Sequence, residues 1–343
     1  MDFSKEIPKE EDNKIEDIKE NDHINKDIKI EEIKEIEEIK EIVEIKKIEE
    51  IDEIKKIEEI EEIKKIEKPK IRTLCFSGGS IKGFAFIGAL EKLLEKNIIL
   101  LENIKCFIGT SAGSILCFLL NLGWNVKEIK DFVLDFNFTK LIGKINSITF
   151  FKDFGIQDGE RLKLLFIKFL ESKFKVKDIT FQELYNLTKK KLIIIGTNLT
   201  KGEEVIFSYK TTPDFSVILA LRISCSLPIL FTPITYNNEV YVDGGIVNNF
   251  PIKYCSRKFT IGFYIKNNYS LEIDSIKTLI VKVLGLTADT ISEKNIKKYK
   301  KNIIQIKNVK MKIMDFNIDR VSREKIIELG YISAEEYLNN LEI

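Results

Sequence analysis

Residues 107–114 read Phe107-Ile108-Gly109-Thr110-Ser111-Ala112-Gly113-Ser114. The apolar run Ile104 to Ile108 ahead of the first glycine has the character of a short buried strand, and Ile115 to Leu120 behind it continues well as a helix. Strand, sharp turn and helix around Gly-x-Ser-x-Gly is the context of a nucleophile elbow. Gly109 and Gly113 let the chain turn tightly without Cβ clashes, and the turn lifts the Ser111 hydroxyl clear of both elements. The helix start supplies unpaired N–H groups and a partial positive charge, suited to a developing oxyanion. Alone, the motif is equally compatible with a loop of small residues, so the rest of the chain has to supply a base and an oxyanion site.

Working outward, Cys106 to Trp124 carries no charge and approaches the length of a bilayer crossing. Gly-Thr-Ser-Ala-Gly-Ser at its start would give lipid little apolar side chain, so a buried strand–turn–helix is the better reading. Upstream, Ile71 to Phe76 reads as a first strand, Ser77 to Gly83 as a glycine-rich turn and Phe84 to Glu95 as an amphipathic helix. Downstream, residues 125–190 read as helices and loops. Lys191 to Thr197 is a strongly apolar strand with Val205–Tyr209 beside it, and Asp214–Leu221 is helical. Glu239 to Val242 is a short strand ending in Asp243-Gly244-Gly245. Strands at 259–265 and 303–306 and an amphipathic stretch at 322–341 complete the pattern. Alternating strands and helices indicate an α/β sandwich with a mainly parallel central sheet.

The 343 residues divide unevenly. Residues 1–27 are charged, lack an apolar period and are expected to be disordered. From Ile30 to Ile66 an isoleucine stands at every third position, separated almost wholly by Glu and Lys. A period of three drifts by roughly 60° per repeat around a helix, so no fixed stripe forms and a two-stranded coiled coil does not fit. Glu and Lys four residues apart can still support a solvated helix. Residues 1–68 are therefore expected to be a low-complexity extension. Residues 71–256 form the catalytic candidate, and residues 257–343 pack on the same domain.

A net charge of +1 gives no basis for binding nucleic acid. Cysteines 75, 106, 117, 225 and 255 are scattered without a Cys-x-x-Cys pair, which favours reduced thiols and a cytoplasmic setting. One histidine and no ligand spacing argue against zinc. The charged start, Met-Asp-Phe-Ser-Lys-Glu, shows no signal peptide, and no transmembrane anchor or cofactor is expected.

A hydrolytic serine needs a base, and the only histidine, His23, lies in the charged tail. A Ser-His-Asp triad cannot be built within the domain. Asp243, closing an apolar strand before two glycines, is the natural candidate, and partial burial would raise its proton affinity. The turn Gly78-Gly79-Ser80-Ile81-Lys82-Gly83 lies between strand and helix, so its N–H groups can converge on an anion. It lacks the spacing and the acidic partner of a dinucleotide fingerprint, and no Lys-Ser/Thr pair makes it a P-loop. An oxyanion loop remains, with Lys82 to anchor it or meet phosphate.

These three parts, in this order, resemble the patatin-like phospholipase family. Arg222-Ile223-Ser224-Cys225-Ser226-Leu227-Pro228 and Asn248-Asn249-Phe250-Pro251 add to the resemblance, which covers roughly Leu74 to Ser256. It implies a patatin-like α/β fold and a lipid acyl hydrolase. Ser111 is then the nucleophile and Asp243 its base. Gly78, Gly79, Ser80 and Ala112 provide the oxyanion hole, and Gly83, Gly109, Gly113, Gly244 and Gly245 are motif glycines. The implied partner is a lipid ester at a membrane surface, with no metal. Ser80 departs from the family's third loop glycine, and a positive φ there would cost about 1 kcal/mol or more. That departure motivates the alternative of a degenerate lipid-binding or scaffolding protein, and acyl transfer to a lipid alcohol would use the same residues. Aromatic residues between 124 and 160, among them Trp124, Phe136, Phe138, Phe150, Phe151 and Phe154, are candidates for core or for a lipid-touching lid.

Overall fold

The computed structural model describes residues 40–41, 43–56, 71–142, 154–266, 273, 276–307, 309 and 316–341. The chain divides into two units, Met1–Lys68 and Pro69–Ile343. In the first, residues 43–56 are helical, and Ile45, Ile48, Ile51 and Ile54 are each 50–56% exposed. His23 and the remainder of the repeat lie outside the described residues.

The second unit is built on a mixed, mostly parallel sheet of eight strands with flanking helices. The strands are β1 (Thr73–Phe76), β2 (Cys106–Thr110), β4 (Lys191–Asn198), β5 (Glu203–Phe207), β7 (Ile234–Tyr236), β8 (Glu239–Asp243), β9 (Thr260–Ile265) and β10 (Ile303–Ile306). A separate pair, β3 (Gly155–Gln157) and β6 (Ile229–Phe231), runs parallel. The main order is β10-β9-β1-β2-β4-β8-β7, with β5 paired to β4. From β10 through β4 the pairing is parallel, and these strands are almost wholly apolar because helices cover the sheet. β8, β7 and β5 join antiparallel.

The helices are α1 (Ala85–Glu95), α2 (Ala112–Asn121), α3 (Val126–Asp135), α4 (Glu160–Phe174), α5 (Phe181–Thr188), α6 (Val217–Ser224), the single turn α7 (Gly245–Asn248), α8 (Ile276–Lys298) and α9 (Arg320–Asn339). Capping boxes start α3 and α5: Asn125 pairs with Glu128, and Thr180 with Glu183. The sequence places α6 three residues too early and runs the glycine loop straight into α1. Instead a 3-10 turn, Ser80–Phe84, intervenes. It tightens the loop over the end of β1.

α9 seals α1 at a glycine crossing. A Cβ on Gly88 would strike the Ile327 carbonyl, and one on Gly330 the Ala85 carbonyl. Lys92, buried at the same contact, donates to Glu335 at 2.8 Å and to Tyr331 at 3.2 Å. The C-terminal segment is thus docked backbone to backbone on the helix that follows the glycine loop.

Candidate active site

The meeting of Ser111 with Asp243 is a consequence of how three strands share β4. β2 runs parallel to β4 and reaches its last pair, Thr110 with Ile195. β8 runs antiparallel along the continuation of that edge and ends with Asp243 opposite Gly196. β5 occupies the other edge from Ile194 to Asn198. The ends of β2 and β8 therefore approach head on, and the next residue of β2 is Ser111. Its Oγ donates to Asp243 Oδ2 at 2.6 Å.

The elbow is held in a conformation that non-glycine residues rarely take. Ser111 sits at φ 52° and ψ −125°, so the left-handed conformation falls on the serine and not on its glycines. The glycines provide space. A Cβ on Gly109 would lie 2.6 Å from the Gly113 carbonyl, and one on Gly113 would lie 2.6 Å from the Phe76 and Ser77 carbonyls. Three hydrogen bonds fix the turn. Ser111 N–H donates to Ser224 Oγ at 2.9 Å, Ser114 Oγ donates to the Ser111 carbonyl at 2.6 Å, and Thr110 Oγ1 donates to the Asn248 carbonyl at 2.9 Å.

Asp243 is buried, and burial pushes its carboxyl up to about 6; the hydrogen bonds from Ser111 and from Gly245 N–H oppose that rise. Gly245 N–H donates to Oδ1 at 2.7 Å, leaving Oδ2 for the serine. The backbone of Asp243 is anchored too: its N–H donates to the Ser226 carbonyl at 3.0 Å, and its carbonyl accepts from Thr197 Oγ1 at 2.9 Å. Gly244 backs directly onto the Ile195 carbonyl, where a Cβ would not fit.

The glycine loop arrives at the same point. Gly78, read above as an oxyanion donor, has its N–H committed to the Asn249 carbonyl at 3.0 Å. That bond fastens the loop to the segment after Asp243. It removes Gly78 from the donor set, because an amide proton spent on a buried carbonyl is not available to substrate. The N–H groups of Gly79 and Ala112 have no acceptor among the described residues. Ser80 takes φ 49°, the left-handed conformation that its departure from glycine made costly. Gly83 presses on Ala112, with a Cβ 3.2 Å from the Ala112 side chain. Lys82 is buried beneath the 3-10 turn, where desolvation lowers its pKa, and it lines neither cavity beside Ser111.

Among the described residues, two cavities flank the serine. One, about 150 Å³, is almost entirely apolar and runs past Ala112, Leu116, Leu119, Phe132, Leu162 and Phe231. The other, about 80 Å³, contains Asp243, Gly79 and Asn249 and is walled by Leu284, Gly285 and Ala288 of α8. Ser80, Ser111 and Leu227 border both.

Residues outside the three motifs complete the site. Arg222, 1% exposed, donates to the Asp158 carbonyl at 2.7 Å and to Ser226 Oγ at 2.5 Å, tying α6 to the loop before α4. Gly159 packs flat on its guanidinium. Ser224 and Asn248 lie in stretches that carry the resemblance and Thr110 lies within the elbow motif, but their hydrogen bonds to the elbow emerge only from the pairing of distant strands. Of the aromatic residues, Phe132, Phe136 and Phe138 form a ring cluster and Trp124 packs edge-on against Phe169 at 5.6 Å. They are cavity wall and core. Phe154 is exposed, and Phe150 and Phe151 lie outside the described residues.

Residues 74–256 match the family model for patatin-like phospholipase. The chain belongs to the patatin-like phospholipase family. Over 202 residues it is 40% identical to "Probable lipid hydrolase 463L" of Invertebrate iridescent virus 6, a match spanning 56% of this chain and 67% of the relative. Over 195 residues it is 26% identical to the omega-hydroxyceramide transacylase of Mus musculus, spanning 56% of this chain and 30% of that protein. The fold is similar to the crystal structure of VipD from Legionella pneumophila, with a TM-score of 0.60 at 17% identity over 79% of this chain and 67% of that one. Among the described residues, no helix of this patatin-like chain is long and apolar enough to cross a membrane.

Proposed function

We propose that the chain is a serine lipid acyl hydrolase that cleaves carboxylic esters of phospholipids or related lipids through Ser111 and Asp243. The observation that carries this reading is the 2.6 Å hydrogen bond from Ser111 Oγ to a buried carboxylate whose pKa is raised toward neutrality. A carboxylate near its own pKa at physiological pH both accepts and returns a proton efficiently. Ser111 Oγ attacks the ester carbonyl while Asp243 takes its proton. The oxyanion forms beside the open N–H groups of Gly79 and Ala112. The leaving alcohol recovers the proton from Asp243, and water activated by the same carboxylate releases the acid from the acyl-enzyme. The apolar cavity suits an acyl chain, and a lipid ester as substrate implies work at a membrane surface.

The test is hydrolysis of a panel of phospholipids and acylglycerols by the pure full chain, beside Ser111→Ala and Asp243→Asn. Both variants lose at least a hundredfold in rate while keeping the wild-type fold by circular dichroism. Ester cleavage that survives Ser111→Ala undiminished contradicts the proposal. Acyl transfer is a second reading supported by the likeness to a transacylase, and it differs only in what meets the acyl-enzyme. Product analysis with an alcohol present separates the two.

A further inference from the structure

The two cavities differ in one respect that governs chemistry: Asp243 borders the smaller one and not the apolar one. We propose that the smaller cavity is the alcohol subsite, that it favours an alcohol uncharged near the ester oxygen, such as a glycerol, and that Leu284 and Ala288 of α8 limit its size. The proposal rests on the hydrolase reading and extends it.

Proton bookkeeping carries the assignment. When Ser111 Oγ bonds to the acyl carbon, its proton passes to Asp243, and when the carbon–oxygen bond to the alcohol breaks, that oxygen must take the proton back. The returning acceptor, water or alcohol, gives its proton to the same carboxylate, attacks the acyl carbon and expels Ser111 Oγ, which is reprotonated by Asp243. Departure of the alcohol and attack by the returning water or alcohol each need that oxygen within hydrogen-bond reach of Oδ2. Of the two cavities described, Asp243 lines the smaller and not the apolar one, so the alcohol occupies that side and the acyl chain takes the other.

The lining also speaks to charge. Asp243 is the one titratable side chain among the residues lining the smaller cavity, and Asn249 adds a neutral amide. An anionic group held close to the ester oxygen would face that carboxylate with no cation among the described lining residues to offset it. α8 closes the far wall with Leu284, Gly285 and Ala288, which lie along one side of the helix. Leu284 is half-buried and Ala288 is buried.

The experiment uses the full chain and its Leu284→Ala and Ala288→Leu variants, with a separate aliquot of each labelled at Ser111 by a fluorophosphonate to show an active site and the unlabelled protein kept for assay. Rates are measured for decanoyl esters of methanol, glycerol and glycerol phosphate, and for methyl esters of increasing chain length. The wild type prefers the glycerol ester to the glycerol phosphate ester. Leu284→Ala raises kcat/KM for the glycerol ester over the methyl ester at least threefold, and Ala288→Leu lowers it by a similar factor. The chain-length profile stays where it was. If Ala288→Leu does not fold, Leu284→Ala alone decides. Label-competent variants with unchanged alcohol preference, a shifted chain-length optimum, or a wild type preferring the phosphate ester overturn the subsite and leave the hydrolase reading intact. A folded wild type that neither labels nor hydrolyses any ester overturns both.

Discussion

Thr110 and Asp243 lie opposite adjacent residues of one strand, Ile195 and Gly196. Two strands of opposite direction therefore finish nose to nose on the same edge of β4. The residue that follows Thr110 is thrown onto the carboxylate that ends β8. The pair is set by sheet register, which a one-residue slip would destroy by turning Asp243 to the other face.

The first prediction concerns pH. With Asp243 pushed up to about 6 by burial, kcat/KM for an ester rises with pH along a limb of apparent pKa near that value and levels above it. Stability moves the other way. The native state holds this proton to higher pH than the unfolded chain, so the native state binds more protons between about 4 and about 6 and stability falls as pH rises through that window. Asp243→Asn removes the burden. The variant gains up to about 3 kcal/mol over wild type at pH 8 and little at pH 4, read from denaturant melts at both pH values.

Ser224 positions Ser111 by accepting its N–H at 2.9 Å. Ser224→Ala leaves that amide without its partner at a strained turn and costs about 1–2 kcal/mol of stability. kcat falls roughly tenfold with little change in KM, because the serine is misplaced and the cavities are untouched. Ser224→Thr, which keeps the hydroxyl, restores most of the rate. Equal loss in both variants would mean that packing, and not the hydrogen bond, is what matters.

Ser80 carries φ 49° in the loop that meets Ser111. Ser80→Gly relieves the left-handed strain and stabilises the protein by about 1 kcal/mol, offset in part by the greater freedom of glycine in the unfolded chain. Thermal melts of the two proteins at one pH check it, and a lower midpoint for the glycine variant would contradict it.

The α1–α9 crossing predicts a severe stability defect far from the site. Gly330→Val drives side-chain atoms into the Ala85 backbone, which cannot move without shifting α1. The cost is at least about 3 kcal/mol, an unusually large effect for one substitution, read from urea unfolding. Val at Gly202, a left-handed loop glycine with open space around it, pays only the conformational cost.

Much of this was legible in the residues. Gly-x-Ser-x-Gly between an apolar strand and an apolar helix fixes the elbow, and a lone histidine in a charged tail leaves Asp243 as the base candidate. Apolar runs such as Leu192 to Ile195 mark parallel strands because both faces are covered. What stayed hidden depends on contacts between segments far apart in sequence. Gly78 resembles an oxyanion donor until the carbonyl of Asn249, far away in sequence, accepts its N–H. Ser224 stands in a stretch that resembles the family, yet its bond to the Ser111 N–H is not visible until the elbow docks on it. The α8 wall of the smaller cavity has no motif, since its contribution is the placement of Leu284, Gly285 and Ala288 against a strand end.

Whether Asp243 activates Ser111 is read out by the rate of covalent labelling at the serine. The purified full chain is treated with a fluorescent fluorophosphonate beside Ser111→Ala and Asp243→Asn. Rapid labelling of wild type, none of Ser111→Ala, and labelling at least a hundredfold slower in Asp243→Asn is the result this account predicts. A folded wild type that is not labelled, or an Asp243→Asn variant labelled as fast as wild type, would contradict it.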